Sequence, residues 1–168
     1  MRLNSLKDVF LEELKDAYDF EKQIVKALPK MIKKSSSSQL QSAFEEHLEQ
    51  TKNQVVRLEK IFDSMGQTAK ASKCEGLRGI IDEGDDLMGE DAEPTVRDAG
   101  IIAAAQKVEH YEIATYGTLA TWAQELGMQD AVRLLNETLE EEKTADKKLT
   151  EIAKRGINVG AAQRRAAA

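Results

Sequence analysis

Four long runs of apolar residues at helical spacing dominate the chain, and each carries acidic or other polar residues in the middle of its apolar face. The run most sharply marked this way is Ala104-Ala105-Gln106-Lys107-Val108-Glu109-His110-Tyr111-Glu112-Ile113-Ala114-Thr115-Tyr116. Carboxylates three residues apart on a helix project from the same side, so Glu109 and Glu112 enter the apolar face together. A buried carboxylate without a partner is costly, and something must neutralise the pair. Any fold for this chain must therefore pack long helices and also accommodate acids in its core.

The spacing predicts a first helix over about 4–34, with the stripe Phe10, Leu14, Ala17, Tyr18, Glu21, Ile24 and Leu28. Asn4 or Ser5 can cap it, and Pro29 inside it can kink it or end it early, although the pattern resumes with Met31 and Ile32. The run Ser35-Ser36-Ser37-Ser38 reads as a solvated turn. A second helix over about 38–65 carries Leu40, Phe44, His47, Leu48, Thr51, Val55, Leu58 and Phe62, and Gly66 closes it. The crossover 66–93 holds one short helix around Leu77, Ile80, Ile81, Leu87 and Met88. A third helix over about 94–126 starts at Pro94, which is tolerated in a first turn, with the stripe Ile101, Ala105, Val108, Glu112, Thr115 and Leu119. A fourth over about 128–155 carries Ala131, Leu135, Thr138, Leu139, Glu142, Asp146, Leu149 and Ile152, with Gly156 as its stop. Residues 1–158 thus read as one all-α four-helix bundle with a long crossover carrying a short fifth helix, and 159–168 as a flexible C-terminal tail. Only 5% of residues are aromatic and only two are proline, which suits helices better than a sheet.

A shift of 91 residues lays the first half of the chain on the second, placing Glu21 on Glu112 and Leu48 and Leu58 on Leu139 and Leu149. One offset serves both helix pairs, as internal duplication would require. At ~100° per residue, the first stripe centres on Glu21, the second near Thr51 with His47 close by, the third on Glu112 with Glu109 to its side, and the fourth on Glu142 with Asp146 inside. His110, Glu49 and Glu140 point outward. Pairing about Gly127 sets Glu112 level with Glu142, and Glu109 level with Asp146.

Five carboxylates and a histidine therefore meet near mid-bundle, with no lysine or arginine central on these stripes. Either several acids are protonated, or the stripe is solvated, or a cation sits among them. A divalent metal is the simplest answer, and carboxylate oxygens with an imidazole suit iron or manganese. The candidate ligands are Glu21, Glu112, Glu142, Glu109, Asp146 and His47, although His47 reads more simply as a hydrogen-bonded core histidine.

Net charge is −6, which argues against a general nucleic-acid or anionic-membrane binder; the one small basic patch is Arg164-Arg165. No run approaches the ~20 apolar residues of a membrane span. A single cysteine, Cys74, fits a reducing compartment.

Four segments carry a resemblance: Asp16-Ala17-Tyr18-Asp19-Phe20-Glu21-Lys22-Gln23, His47-Leu48-Glu49-Gln50-Thr51, Ala103-Ala104-Ala105-Gln106-Lys107-Val108-Glu109-His110-Tyr111-Glu112, and Thr138-Leu139-Glu140-Glu141-Glu142-Lys143. In these the chain resembles the YciE/YciF-type bacterial stress proteins, a rubrerythrin-like branch of the ferritin-like superfamily. The resemblance implies a ferritin-like bundle, a homodimer, a cytoplasmic location, a di-iron centre and an association with stress. Glu21, Glu112 and Glu142 carry over to the superfamily's usual di-iron pattern of one Glu from each of two helices and Glu-x-x-His from the others. The histidines do not, because the chain contains no Glu-x-x-His. Two functions remain: a metal-binding stress protein with redox activity toward peroxide or oxygen, and a non-enzymatic dimeric structural or interaction protein that retains a degenerate metal site.

Overall fold

In the computed structural model, which describes residues 3–163, the chain folds into helices with no strand among the described residues. Helix α1 spans Leu6–Lys34. Ser5 caps it by accepting from the Asp8 backbone N–H at 3.2 Å, and Lys33 and Lys34 sit in its last turn, where the helix dipole favours cations. It runs to Lys34, as the spacing predicts, with Pro29 inside the helix and Met31 beyond it buried. Helix α2 spans Ser38–Ser64 with Ser37 as its cap. Helix α3, Glu75–Gly89, is the short helix of the crossover, and α4 spans Pro94–Glu125 with Pro94 in its first turn. Helix α5 spans Gln129–Ile152.

Helices α2 and α4 end the same way. Gly66 and Gly127 adopt φ of 66° and 70°, a left-handed conformation that glycine reaches without strain. The following residues, Gln67 and Met128, donate back to Phe62 and Ala123, satisfying carbonyls that the helix leaves open. Around the bundle α1 packs on α2, α2 on α5, α5 on α4 and α4 on α1, while α3 lies outside against α4 and α1. The α3–α4 approach is close: a Cβ on Gly100 would stand 2.4 Å from the Leu87 side chain.

Two expectations need correction. The chain does not stop at Gly156. It continues through a π-helical turn, Ala153–Ile157, into α6, Asn158–Gln163, so part of the predicted tail 159–168 is helical. The reason is apolar: Ile152, Ala153 and Ile157 extend the buried stripe of α5, and the π turn keeps Ile157 inside. Residues 164–168, with Arg164-Arg165, lie outside the described residues. Nor is the serine run merely a solvated turn. Ser35 is buried, and the buried Asp98 carboxylate of α4 accepts from Ser36 N, Ser36 Oγ and Ser37 N at 2.8, 2.6 and 2.9 Å. No described helix is long and apolar enough to cross a membrane.

Candidate metal centre

All four bundle helices deliver a polar side chain to one level of the core. Glu21 comes from α1, His47 from α2, Glu109 and Glu112 from α4, and Glu142 from α5, and all five residues are buried. His47, Glu109, Glu112 and Glu142 each offer one atom such that these atoms lie within 4.8 Å of one another. His47 Nε2 is 3.4 Å from Glu109 Oε1 and 3.7 Å from Glu142 Oε2. Its other ring nitrogen is 3.5 Å from Gln50 Oε1. His47 is thus a buried histidine hydrogen-bonded through one ring nitrogen, while its inner nitrogen has no hydrogen-bond partner.

The periodicity places Glu109 slightly off axis; the structure turns α4 toward it. Asp98, Ile101, Ala105, Glu109, Glu112, Tyr116 and Leu119 are its buried face, while Val108 and Thr115 are half-buried. Asp146 stands close enough to Glu109 for its charge to oppose that group's ionisation, but outside the group of four. It is half-buried and accepts from Gln106 Nε2 at 2.9 Å, with the exposed His110 3.5 Å away. The antiparallel register thus sets Asp146 beside Gln106, while Glu142 meets Glu109 and Glu112. Thr51, central on the second stripe, donates its hydroxyl to its own helix at His47 O, 2.8 Å away, and offers nothing to the cluster. His110, Glu49 and Glu140 are exposed, as their angular positions require.

Two neighbours were missed by reasoning that looked for charge. Gln54, fully buried, donates to Glu142 Oε1 and, at 3.0 Å, to Glu141 Oε2. The signal was present, since Gln54 lies three residues after Thr51 and seven after His47 on one stripe. Arg57, one turn further, reaches Glu141 at 2.6 Å and Glu137 at 2.6 Å, and so holds its positive charge at the rim. Tyr116, buried on α4, donates its hydroxyl to Glu21. Its ring meets Phe20 edge-on, Phe20 meets Tyr111 in the same way, and the Tyr111 hydroxyl lies 3.2 Å from Cys74 Sγ.

The electrostatics are strained. Burial, then the nearby Glu142 charge, pushes the Glu21, Glu109 and Glu112 carboxyls well above the usual carboxylate range. Burial does the same to the Tyr116 hydroxyl, which stays protonated and able to donate. Glu21 lies beside Glu112, and Glu109 beside Glu142, so each pair brings two acids together with no cation side chain between them. Glu21 Oε2, His47 Nε2, Glu109 Oε2, both Glu112 oxygens and Glu142 Oε2 are buried with no donor or acceptor among the described residues. So many inward-facing, unpartnered oxygens and an imidazole nitrogen fit a metal ion, which would replace the missing protons. His47, Glu109, Glu112 and Glu142 can hold it, with Glu21 adjoining through Glu112.

A stability prediction follows with a definite sign. The folded carboxyls keep protons that the unfolded chain releases, so above the ordinary carboxylate range the native state binds more protons and stability falls as pH rises. The metal-free protein should melt several degrees higher at about pH 5 than at about pH 8. A melting temperature that climbs over that interval in chelator-treated protein would contradict the buried-carboxyl account.

The profile of the family described as Domain of unknown function (DUF892) matches residues 5–162. The chain belongs to this family. It is 45% identical over 159 residues to the YciF protein of Escherichia coli strain K12, covering 94% of this chain and 96% of that one. The crystal structure of the E. coli stress protein YciF superposes with a TM-score of 0.89, over 93% of this chain and 99% of that one. A two-domain protein from Anabaena variabilis, containing DJ-1/ThiJ/PfpI-like and ferritin-like domains, matches at a TM-score of 0.64 and 14% identity, over 98% of this chain and 41% of that one. The last likeness concerns fold alone. The expected fold class is met: an all-α, ferritin-like four-helix bundle whose crossover carries a fifth helix.

Proposed function

We propose that this protein binds iron or manganese at His47, Glu109, Glu112 and Glu142, with Glu21 as a further carboxylate, and serves a stress response. The observation that carries this reading is the set of buried, unpartnered carboxylate oxygens gathered around His47 Nε2. Oxygen ligands with one imidazole suit iron and manganese better than softer metals. The stress association rests on the 45% identical E. coli relative, which is called a stress protein. The reading includes a homodimer in the cytoplasm, which the family resemblance supports.

When bound, such a metal supplies redox chemistry toward oxygen or peroxide. The chain's own part is to hold and tune it. Glu109 and Glu112 come from one helix face and move as a unit. Gln54 donates to Glu142 and fixes that carboxylate's rotamer, as outer partners of metal ligands do. Tyr116 donates its hydroxyl hydrogen bond to Glu21 and holds that carboxyl in place.

Metal analysis of protein purified without chelator tests the reading. At least about one iron or manganese per chain is expected, and a content below about a tenth, unchanged by added Fe(II), would overturn it. A second reading has its own support. The chain has no Glu-x-x-His, and Gln54 already occupies one Glu142 oxygen, as in a degenerate site kept by a structural or interaction protein. If Glu112→Ala fully restores the stress phenotype of a deletion strain, this second reading replaces the first.

A further inference from the structure

Beneath the crossover helix α3 lies a cavity of about 30 Å³ that ends on the cluster. Its walls are Ile24, Leu28, Phe44, Ile81, Ala105 and Val108, and its inner end is formed by the buried His47 and Glu109. Its outer end lies at Ile80, Ile81 and Asp85 of α3, all half-buried, where Asp85 pairs with Lys30 at 2.8 Å. The helix lies close here because Gly84 has no side chain: a Cβ would stand 3.2 Å from that of Ala104. Between its ends the wall offers no hydrogen-bonding side chain. A second opening, of about 20 Å³, reaches the same His47 and Glu109 from between α2 and α5. That one mixes apolar Ala43, Phe44, Ala145 and Leu149 with the hydrogen-bonding side chains of Glu46, Gln50, Thr144 and Lys148, and Lys148 pairs with Glu46 at 2.6 Å.

We propose that the cavity under α3 is an entry and holding site for dioxygen, so that the centre receives its apolar oxidant by a different route from ions and hydrogen-bonding molecules. This rests on the metal-binding reading above. Small apolar cavities stay dry and take up apolar guests such as xenon, because water needs polar partners that such walls lack. About 30 Å³ suits a diatomic molecule and excludes anything much larger. Hydrogen peroxide is also small, but its two O–H groups would go unsatisfied along this wall, and leaving them so is costly. The opening beside Lys148 and Glu46 provides the partners that peroxide and hydrated cations need. Both openings are lined by Phe44, His47 and Glu109.

Crystals pressurised with xenon, together with stopped-flow oxidation of Fe(II)-loaded protein by dioxygen and separately by peroxide, test the proposal. Xenon should occupy the cavity in the unsubstituted protein, whether or not metal is present. Ala27→Leu fills the cavity from a half-buried position on α1. It should abolish the xenon peak and slow oxidation by dioxygen several-fold, leaving metal content and oxidation by peroxide unchanged. Ile81→Ala widens the mouth and should act in the opposite direction, which separates access from misfolding. No xenon in the cavity, or equal slowing of both oxidants in Ala27→Leu, would overturn the proposal. Xenon binding in a protein that takes up no metal would instead remove the metal reading and leave the cavity without its role.

Discussion

Replacing Glu112 by glutamine will destroy metal binding and at the same time stabilise the metal-free protein. Glu112 is fully buried, and neither of its oxygens has a donor. Burial, the Glu142 charge and the Glu21 charge all oppose its ionisation. The amide has nearly the same shape, so the packing survives. It removes one acid from the cluster and offers an N–H₂ to Glu21, which the carboxyl meets already. Relieving an uncompensated buried group contributes about 1–3 kcal/mol, which in a domain of this size raises Tm by roughly 2–4 °C for each kcal/mol. The same change removes an anionic ligand, and affinity for Fe(II) or Mn(II) should fall at least a hundredfold, beyond the ~10–100-fold typical of losing an outer partner. The stability gain should shrink toward about pH 5, where the wild-type carboxyl keeps its proton. Calorimetry on chelator-treated protein and metal titration read the two effects separately. A lower melting temperature with metal binding intact would mean that Glu112 has a structural partner and no ligand role.

That opposition of sign explains why the site was legible at all. Hydrophobic periodicity fixes the angular position of a side chain on its helix, and an acid at the centre of an apolar stripe breaks the pattern visibly. Glu21, Glu112 and Glu142 were found that way and are fully buried; His110, Glu49 and Glu140 were sent outward by the same arithmetic and are exposed. Position along the axis follows from counting about Gly127: Asp146 stands at the level of Glu109, between Gln106 and His110 and close enough for its charge to act on Glu109. Periodicity overstates only its depth, since Asp146 is half-buried. It says nothing of rotamer, so it cannot tell that the inner nitrogen of His47 is left without a partner. Uncharged polar groups leave the weakest trace. Gln54 sits on the same stripe as His47 and Leu58, yet a glutamine breaks an apolar pattern far less than a carboxylate does. Past Gly156 the stripe continues only with Ile157, so the glycine reads as a stop, and the π turn that absorbs it leaves no periodic signature in the sequence.

Asp98→Ala should be among the most destabilising substitutions in the chain, although Asp98 lies far from the cluster. It opens the buried face of α4, and its carboxylate is only 1% exposed. It accepts three hydrogen bonds from Ser36 and Ser37, the turn between α1 and α2, across 62 residues of sequence. Two of the donors are backbone N–H groups at the start of α2, where the helix leaves N–H groups open and its dipole favours an anion. The carboxylate therefore caps α2 from another helix and pins the α1–α2 hairpin to α4 at that end of the bundle. Bonds to a charged acceptor contribute about 1.5–3 kcal/mol each, but Ser36 is exposed and can turn to water. A net loss of about 3 kcal/mol is expected, lowering Tm by roughly 6–12 °C. Asp98→Asn keeps one acceptor oxygen and should lose about half as much. Eleven residues separate Asp98 from Glu109, about 16 Å along the helix, so the folded variant should bind metal as the parent does. Urea unfolding of the metal-free proteins is the measurement of choice, since bound metal would mask the difference by mass action. A loss below about 1 kcal/mol would show that water replaces this carboxylate at little cost, and that the hairpin is held to α4 by its apolar contacts alone.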